Sequence, residues 1–421
     1  MEQLPSQFAE YTSCLMGDEI WKRYVASFDE EAPTSVRMNP FKPCRDGACG
    51  LFHCEVEEIP WCKGGYWLEK RPSFTDDPLF HAGCYYVQEA GSMFLAEVMR
   101  QYVDKPVLML DLCAAPGGKS TLARGVLPEG SLLMSNEPDR RRANILMENI
   151  QKQGHADVIV TQNMHNHYSR EGMNFDIILT DVPCSGEGLF RRDRSAISEW
   201  SIANVHRCAA LQREIVTEIW KRLKPGGLLI YSTCTFNTQE NEENVRYVRD
   251  TLGAELLHVD VQPDWNITGS LLAGFDEPVY RFIPGTSKSE GLFMCVMRKN
   301  GSSSLENRET PSAMKGAILK KTRLNVIYDG IPRDTQKGRD MIPSHCEALS
   351  ISRDATRFPT VELTREEALC YLHREVVTLP EDTPRGYVVA SYDNHPIGFM
   401  KNIGTRANNL YPKEWAIHKA K

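Results

Sequence analysis

Nowhere does the chain carry an apolar run near the roughly 20 residues that a membrane-spanning helix needs, so no membrane partner is expected. Its first residues, MEQLPSQFAEYTSC, hold acids and lack the apolar stretch of a secretory signal. The 13 cysteines are odd in number and none forms a CxxC. That pattern favours reduced thiols over a disulfide framework, and a cytoplasmic location is expected. The densest group, Cys44, Cys49, Cys54 and Cys62 with His53, lacks zinc-finger spacing; scattered thiols and no metal are expected. Also missing are the GxGxxG dinucleotide fingerprint and the GxxxxGK[ST] phosphate loop, which argues against a pyrophosphate ligand.

What remains is a composition of ordinary globular kind, with 41% apolar and 25% charged residues in 421, enough for two or three domains. The net charge of −7 argues mildly against a nucleic-acid partner, but its distribution is uneven. Residues 314–421 hold 17 Lys and Arg against 13 Asp and Glu, so the acidity lies before them. Basic clusters also persist at Arg140-Arg141-Arg142 and at Arg191, Arg192 and Arg194. A polyanion could therefore be met at defined patches.

The polar segment KNGSSSLENRETP separates a large body from a C-terminal piece. We read residues 1–100 as an N-terminal α+β substructure, 101–300 as the catalytic domain, 301–313 as linker and 314–421 as a small α+β or barrel-like module. Within the body, VLMLDLC, SLLMSNE, DVIVT, FDIILTD and GLLIYST read as strands; RRRANILMENIQ and AALQREIVTEIWKRL read as amphipathic helices. Apolar strands alternating with helices predict an α/β fold with a mostly parallel sheet covered on both faces. In such a sheet, ligands bind beyond the carboxyl ends of the strands.

The first strand runs into Asp111-Leu112-Cys113-Ala114-Ala115-Pro116-Gly117-Gly118-Lys119-Ser120, whose small residues let a ligand approach the backbone. Glu137 ends the second strand, where an acid can hold ribose hydroxyls. A nucleoside without pyrophosphate fits this pair of features, and S-adenosylmethionine is the expected cofactor. The same rim receives Asp181 and Cys184, from Asp181-Val182-Pro183-Cys184-Ser185-Gly186-Glu187-Gly188, and Cys234, from Tyr231-Ser232-Thr233-Cys234-Thr235. Two thiols at one rim have a use in cytosine C5 chemistry. C5 is a poor nucleophile until a thiolate adds to C6, and the adduct must later lose its C5 proton before the thiolate can leave. An acid such as Asp181 can hydrogen-bond the cytosine edge, and a lysine can stand near the developing charge.

DLCAAPGGKS, DVPCSGEG and YSTCT, in that order, resemble the motifs of RNA cytosine-5 methyltransferases of the NOP/Sun type. The resemblance runs from about Val36 to about Arg298. It implies a class I, Rossmann-like methyltransferase with a seven-stranded sheet. It also implies that Cys113, Ala114, Ala115, Pro116, Gly117, Gly118 and Lys119 hold the cofactor with Glu137 and Asp181. Cys234 would be the nucleophile, Cys184 would assist product release, and Asp181 and Lys119 would serve the reaction. The family's usual acid after the third strand is replaced here by Asn163, whose amide could still meet adenine.

Pro384-Arg385-Gly386, Gly398-Phe399-Met400-Lys401 and the run from Gly404 to Trp415 are similar to the tail of RsmF-type bacterial enzymes. These methylate small-subunit ribosomal RNA and carry a PUA-like RNA-binding domain. The tail interleaves Lys401, Arg406 and Lys413 with Tyr411 and Trp415, a mixture suited to phosphate contact and base stacking. With Arg37, Arg191 and Arg192, these three basic residues are the expected RNA contacts. A monomer acting on small-subunit rRNA or the 30S particle is expected. The competing readings are an rRNA-binding assembly factor that no longer methylates, and a cytosine-5 methyltransferase acting on tRNA.

Overall fold

The computed structural model describes residues 4–302 and 309–417; residues 303–308 of the linker lie outside them. At its centre is one large sheet. Its strands are β1 (Leu108–Asp111), β2 (Leu132–Asn136), β3 (Val158–Thr161), β4 (Phe175–Asp181), β5 (Leu223–Thr233), β6 (Ala254–Leu257), β7 (Leu292–Lys299) and β8 (Val326–Tyr328). The order across the sheet is β6-β7-β5-β4-β1-β2-β3-β8, and a short strand, Tyr280–Phe282, pairs with β7. From β5 to β3 all neighbours are parallel, while β7, β6 and β8 are antiparallel to theirs. The expected seven strands are present, with β8 and the Tyr280–Phe282 strand added.

The apolar runs are strands because both faces are covered. Leu108, Leu110, Ile178 and Leu229 pack into the core on one face, and Met109, Ile177, Leu179 and Ile230 into that on the other. Helix α1 (Gly118–Val126) follows β1, and α2 (Arg140–Gln153) follows β2. Helix α2 starts where the Asp139 side chain accepts a hydrogen bond from Arg142 N, and ends at Gly154, whose φ of 86° only glycine adopts freely. It buries Ala143, Leu146 and Ile150, a single helical stripe. Helix α3 (Ile202–Trp220), capped by Ser201, covers the opposite face with Ile215, Val216 and Ile219; α4 (Glu242–Leu252) lies beside it. Sequential order reverses between β1 and β4, and the switch opens a crevice at their carboxyl ends.

The first hundred residues contain a four-stranded antiparallel sheet (Val56–Glu58, Gly65–Leu68, Thr34–Met38, Tyr85–Val87). They also contain a 21-residue helix, Ser6–Ala26, which sequence periodicity does not reveal. Its backbone breaks at Gly17 (φ 70°), so no single apolar stripe runs along it. Phe8 and Tyr24 pack with Phe190, Trp200 and Phe236, directly behind the loops that carry Cys184 and Cys234.

The boundary placed at 301–313 needs correction. Helix α5 (Lys315–Lys321) and β8 belong with the catalytic body: Ile318, Leu319 and Leu324 join its core, and β8 extends the sheet beyond β3. The rest forms a sheet ordered Thr360–Glu362, β9 (Gly386–Tyr392), β10 (His395–Asn402) and Ala407–Asn409. It is not an independent unit either. Val388, Ile397, Met400, Tyr371 and Tyr411 share one core with Val36 and Tyr85 of the N-terminal sheet and with Leu79 and Cys84 beside it. The Tyr411 hydroxyl lies 3.2 Å from His81 Nδ1 inside it. Among the described residues, no helix is long and apolar enough to cross a membrane.

Candidate active site at the carboxyl edge of the sheet

The loop after β1 is pinned by backbone bonds to both neighbouring strands: Leu112 N donates to Leu179 O, and Ala114 N to Asn136 O. Asn149 and Arg142 of α2 donate to Pro116 O and Ala115 O, so the loop is held from the helix side as well. Between this loop and the edge of the N-terminal sheet lies an open cleft. Tyr86, Gln88, Asp111, Cys113 to Pro116, Gly118, Lys119 and Asp181 line it.

Two buried acids border the loop with acceptor atoms to spare. Asp111 accepts from Ser120 Oγ at 2.6 Å through one oxygen, while Oδ1 has no partner. Burial pushes the Asp111 carboxyl up to about 7, against the Ser120 hydrogen bond and with help from Asp181. Glu137 takes Asp139 N on Oε1; its Oε2 lacks a hydrogen bond and faces the Arg142 guanidinium at 3.5 Å. Such unpaired acceptors are costly unless a ligand supplies donors.

Lys119 Nζ donates to Asp181 Oδ2 at 2.8 Å. Burial works against the Lys119 charge, but the adjoining carboxylate more than offsets it and raises the pKa. Next to this pair, the sulfurs of Cys184 and Cys234 are 2.9 Å apart, and Cys234 N donates to Cys184 Sγ. The Cys184 thiol is pushed well up, first by its hydrogen bond to Cys234 and then by burial. Either sulfur can donate in this contact.

What fixes this contact is a pair of crossed carboxylates that sequence reasoning missed. Glu187, in the Cys184 loop, accepts from Phe236 N and Asn237 N in the Cys234 loop. Glu240, in the Cys234 loop, accepts from Ser185 N in the Cys184 loop, and also from Gln212 and Asn237 side chains. Ser185 Oγ meets Thr235 Oγ1 at 2.8 Å, and Gly188 N donates to Cys234 O. Behind them the fully buried Arg281–Glu242 pair holds Phe236 O. The available signal was the recurrence of Asn and acids in Asn237-Thr238-Gln239-Glu240-Asn241-Glu242, polar residues where a helix start alone would not need them.

The other expected contacts are placed differently from one another. Arg37 is buried, donating to Gln88 Oε1 and Thr121 Oγ1, and burial lowers its pKa to about 10; its guanidinium braces the cleft wall rather than facing solvent. Arg191 is likewise buried, bound to Glu290 at 2.9 Å and to Glu30 O. Arg192 is exposed, 3.9 Å from the same Glu290. The Asn163 amide is already used, accepting from Asn325 N and donating to Asn325 O beside β8, so it is not free for adenine. Lys401 is bound to Asp340 and lies over the Tyr387 ring. Tyr411 is fully buried, and the Trp415 ring packs against His345 and Lys152; neither is a stacking platform. Arg406 and Lys413 are exposed, as an RNA contact requires.

The motif cysteines and acids are thus brought to one rim. A model of the 16S rRNA methyltransferase RsmB/F family matches residues 101–298. The N-terminal domain model of 16S rRNA methyltransferase RsmF matches residues 4–90, and the RsmF PUA domain model matches residues 358–417. Ribosomal RNA small subunit methyltransferase F of Pectobacterium atrosepticum is 32% identical over 317 residues, which cover 71% of this chain and 63% of that protein. The protein of the same name from Enterobacter sp. strain 638 is 27% identical over 97% of this chain and 95% of its own length. Among solved structures, a methyltransferase homolog protein from Pyrococcus horikoshii superposes with a TM-score of 0.60 at 26% identity, over 70% of this chain and 95% of its own. NSun6 from Pyrococcus horikoshii, solved with SFG, also gives 0.60, at 20% identity over 71% and 99%. With three models of one enzyme type matching in order and a methyltransferase fold beneath them, the chain belongs to the RsmB/F family of methyltransferases.

Proposed function

We propose that this chain transfers a methyl group from S-adenosylmethionine to C5 of a cytosine in 16S ribosomal RNA. The observation that carries the reading is the 2.9 Å contact between the Cys184 and Cys234 sulfurs, beside the Lys119–Asp181 pair and the cleft. Methyl transfer to oxygen or nitrogen has no use for two opposed thiols, whereas C5 chemistry needs one to add and a second group to help it leave. The cofactor fits the same observations. Ala114, Ala115 and Gly118 keep the cleft wall low, while Asp111 Oδ1, unpaired, is an acceptor for an ammonium group and Glu137 Oε2, which makes no hydrogen bond although Arg142 is 3.5 Å away, is one for ribose hydroxyls. When bound, S-adenosylmethionine supplies an electrophilic methyl group on a sulfonium.

The chain's residues do the rest. A cytosine turned out of its RNA would enter between Asp181 and the thiols. The Asp181 carboxylate, oriented by Lys119, accepts a hydrogen bond from the exocyclic amine. Cys234 sulfur, in contact with Cys184, gives up its proton to solvent and adds to C6 as thiolate, and the electron pair shifts to C5, which then takes the methyl group. In the elimination, Cys184 gives its proton to the departing Cys234 sulfur and receives the proton from C5. The C5–H electrons restore the C5–C6 double bond as the C6–S bond breaks, and one net proton leaves to solvent.

The test is methyl transfer from labelled S-adenosylmethionine to 16S rRNA, to 30S particles and to tRNA, followed by bisulfite sequencing of the labelled product. A protected cytosine in 16S rRNA is expected. Label confined to tRNA, or no label in any RNA, would overturn the reading.

A further inference from the structure

Cys44, which sequence spacing leaves among scattered thiols, meets two partners from distant parts of the chain. The sulfurs of Cys44 and Cys84 and a ring nitrogen of His395 all lie within 4.8 Å of one another. Cys49, Cys54 and Cys62 do not join them: Cys49 is exposed, its thiol toward Cys54 O, and Cys62 is buried in the core beside Trp61. Each member of the trio sits on a fixed backbone. Cys84 N donates to Leu79 O, and Cys84 O accepts from Asn39 N at the edge of the N-terminal sheet. Cys44 O accepts from Gly47 N in the turn that follows. His395 opens β10, directly after the two-residue turn Asp393-Asn394, whose φ values of 47° and 63° mark a tight hairpin turn. The trio therefore spans the seam between the N-terminal sheet and the C-terminal module.

Two thiolates and an imidazole are the donor set that selects zinc(II), a tetrahedral ion without redox chemistry of its own. Bonds of about 2.3 Å to sulfur and about 2.0 Å to nitrogen would set the three donor atoms roughly 3.5–3.8 Å apart. The fourth position would fall to water or to Asp393, which shares the hairpin turn with His395. His395 and Pro396 line an open cleft with Phe41, Lys42 and Ile351, which gives an ion and a water a way in. We propose that Cys44, Cys84 and His395 form a structural zinc(II) site, completed by Asp393 or water, that fastens the β9–β10 hairpin to the N-terminal sheet. The site is separate from the methyl-transfer rim and needs nothing from it.

The experiment uses the full chain, produced with zinc in the medium and dialysed free of loose metal, with zinc measured by mass spectrometry. About one zinc per chain is expected in the unaltered protein and in a Cys184→Ser/Cys234→Ser double variant, which removes the other adjacent thiol pair. Cys44→Ser and His395→Gln, both at half-buried positions, should each lower the zinc content at least tenfold. Should a variant fail to fold, the unaltered chain decides: cobalt(II) in place of zinc should give intense thiolate-to-metal absorption and the visible bands of a tetrahedral ion. A chelator should lower the melting temperature of the unaltered chain. Three results would overturn the proposal: a metal-free unaltered chain that takes up no zinc or cobalt, zinc content indifferent to Cys44→Ser and His395→Gln, or a Cys44–Cys84 disulfide in the intact mass.

Discussion

At the carboxyl rim of the central sheet, loops after β1, β4 and β5 bring together residues whose neighbours in sequence are themselves part of the site. Along the seam between the N-terminal sheet and the C-terminal module, Val36, Leu79 and Tyr85 pack on Val388, Met400 and Tyr411, more than 300 positions away. The rim is crowded with polar groups under directional bonding. The seam is apolar, with a few embedded rings and the Cys44–Cys84–His395 trio. Chemistry constrains residue identity in short contiguous runs, whereas packing constrains only volume and hydrophobicity, which many residues satisfy. The rim is therefore spelled out in motifs and the seam is not.

The sharpest way to break the comparison is to exchange the fates of the two thiols. Cys234→Ala removes the group that adds to C6, so methyl transfer should fall at least a thousandfold and no covalent RNA complex should form. Cys184→Ala leaves addition possible but takes away the proton for the departing sulfur. A protein–RNA adduct that survives denaturing gels should then accumulate. An adduct with Cys234→Ala and none with Cys184→Ala would mean that the roles are reversed. Neither change should alter thermal stability much, because both thiols lie at an open rim.

The seam should respond in the opposite sense. Tyr411→Ala opens a cavity beside His81, Tyr371 and Trp415, and a loss of about 3–5 kcal/mol is expected in denaturant unfolding. Removing the chain from Met314 onward should do worse. It strips β8 from the sheet and bares the N-terminal half of the shared core. A truncated chain that melts like the full one would show that the seam carries no stability.

These two regions also mark how far the sequence could be read. The strands from Leu108 to Thr233 were legible because runs such as Leu-Met-Leu and Val-Ile-Val are apolar on both faces and separated by capped helices. Cys184, Cys234, Asp181 and Glu137 were legible through position at strand ends. Arg37 and Arg191 were misread because a guanidinium looks alike in sequence whether it faces phosphate or, as here, Gln88 and Glu290. Asn163 was misread because its partner, the Asn325 backbone, comes from a segment assigned to another domain. Polar runs such as Lys299–Pro311 signal a surface excursion, and say nothing of where the chain docks afterwards.

Within the rim, the crossed carboxylates offer a smaller and more specific effect. Glu240→Gln keeps the side chain's size but turns one acceptor oxygen into a donor that faces Ser185 N or Gln212 Nε2. The two loops should lose their register, so kcat should fall about a hundredfold with little change in KM, since a misplaced reacting group costs about that much. Cofactor affinity has its own signature in Asp111. Its carboxyl is protonated below about 7 and ionised above, and the ionised form favours a ligand that bears a sulfonium and an ammonium. Affinity in calorimetry should rise as pH passes upward through 7, and Asp111→Asn should flatten that dependence. Gly117→Val should weaken the same affinity at least tenfold, about 1.4 kcal/mol. The cause is the backbone: Gly117 holds φ at 115°, and a Cβ there would lie 3.3 Å from Leu146 Cδ1.

The smallest expected effect lies on the outer face of the module, where Arg406 and Lys413 are exposed. A basic residue that touches phosphate displaces a counterion, so its loss lowers the steepness of log affinity against log salt by up to about 0.9. Arg406→Ala/Lys413→Ala should thus bind 16S rRNA more weakly at low salt, with a shallower slope, while melting unchanged. Arg191→Ala is the counterpart. It breaks a buried pair with Glu290, at a cost of about 3–5 kcal/mol in stability. Its salt slope should match the unaltered protein's wherever the variant is folded. Filter binding across a salt series, run beside thermal melts, separates the two. A slope lowered by Arg191→Ala and untouched by the double substitution would move the RNA-binding surface from the module to the rim, because only a cation that leaves Glu290 for phosphate could produce it.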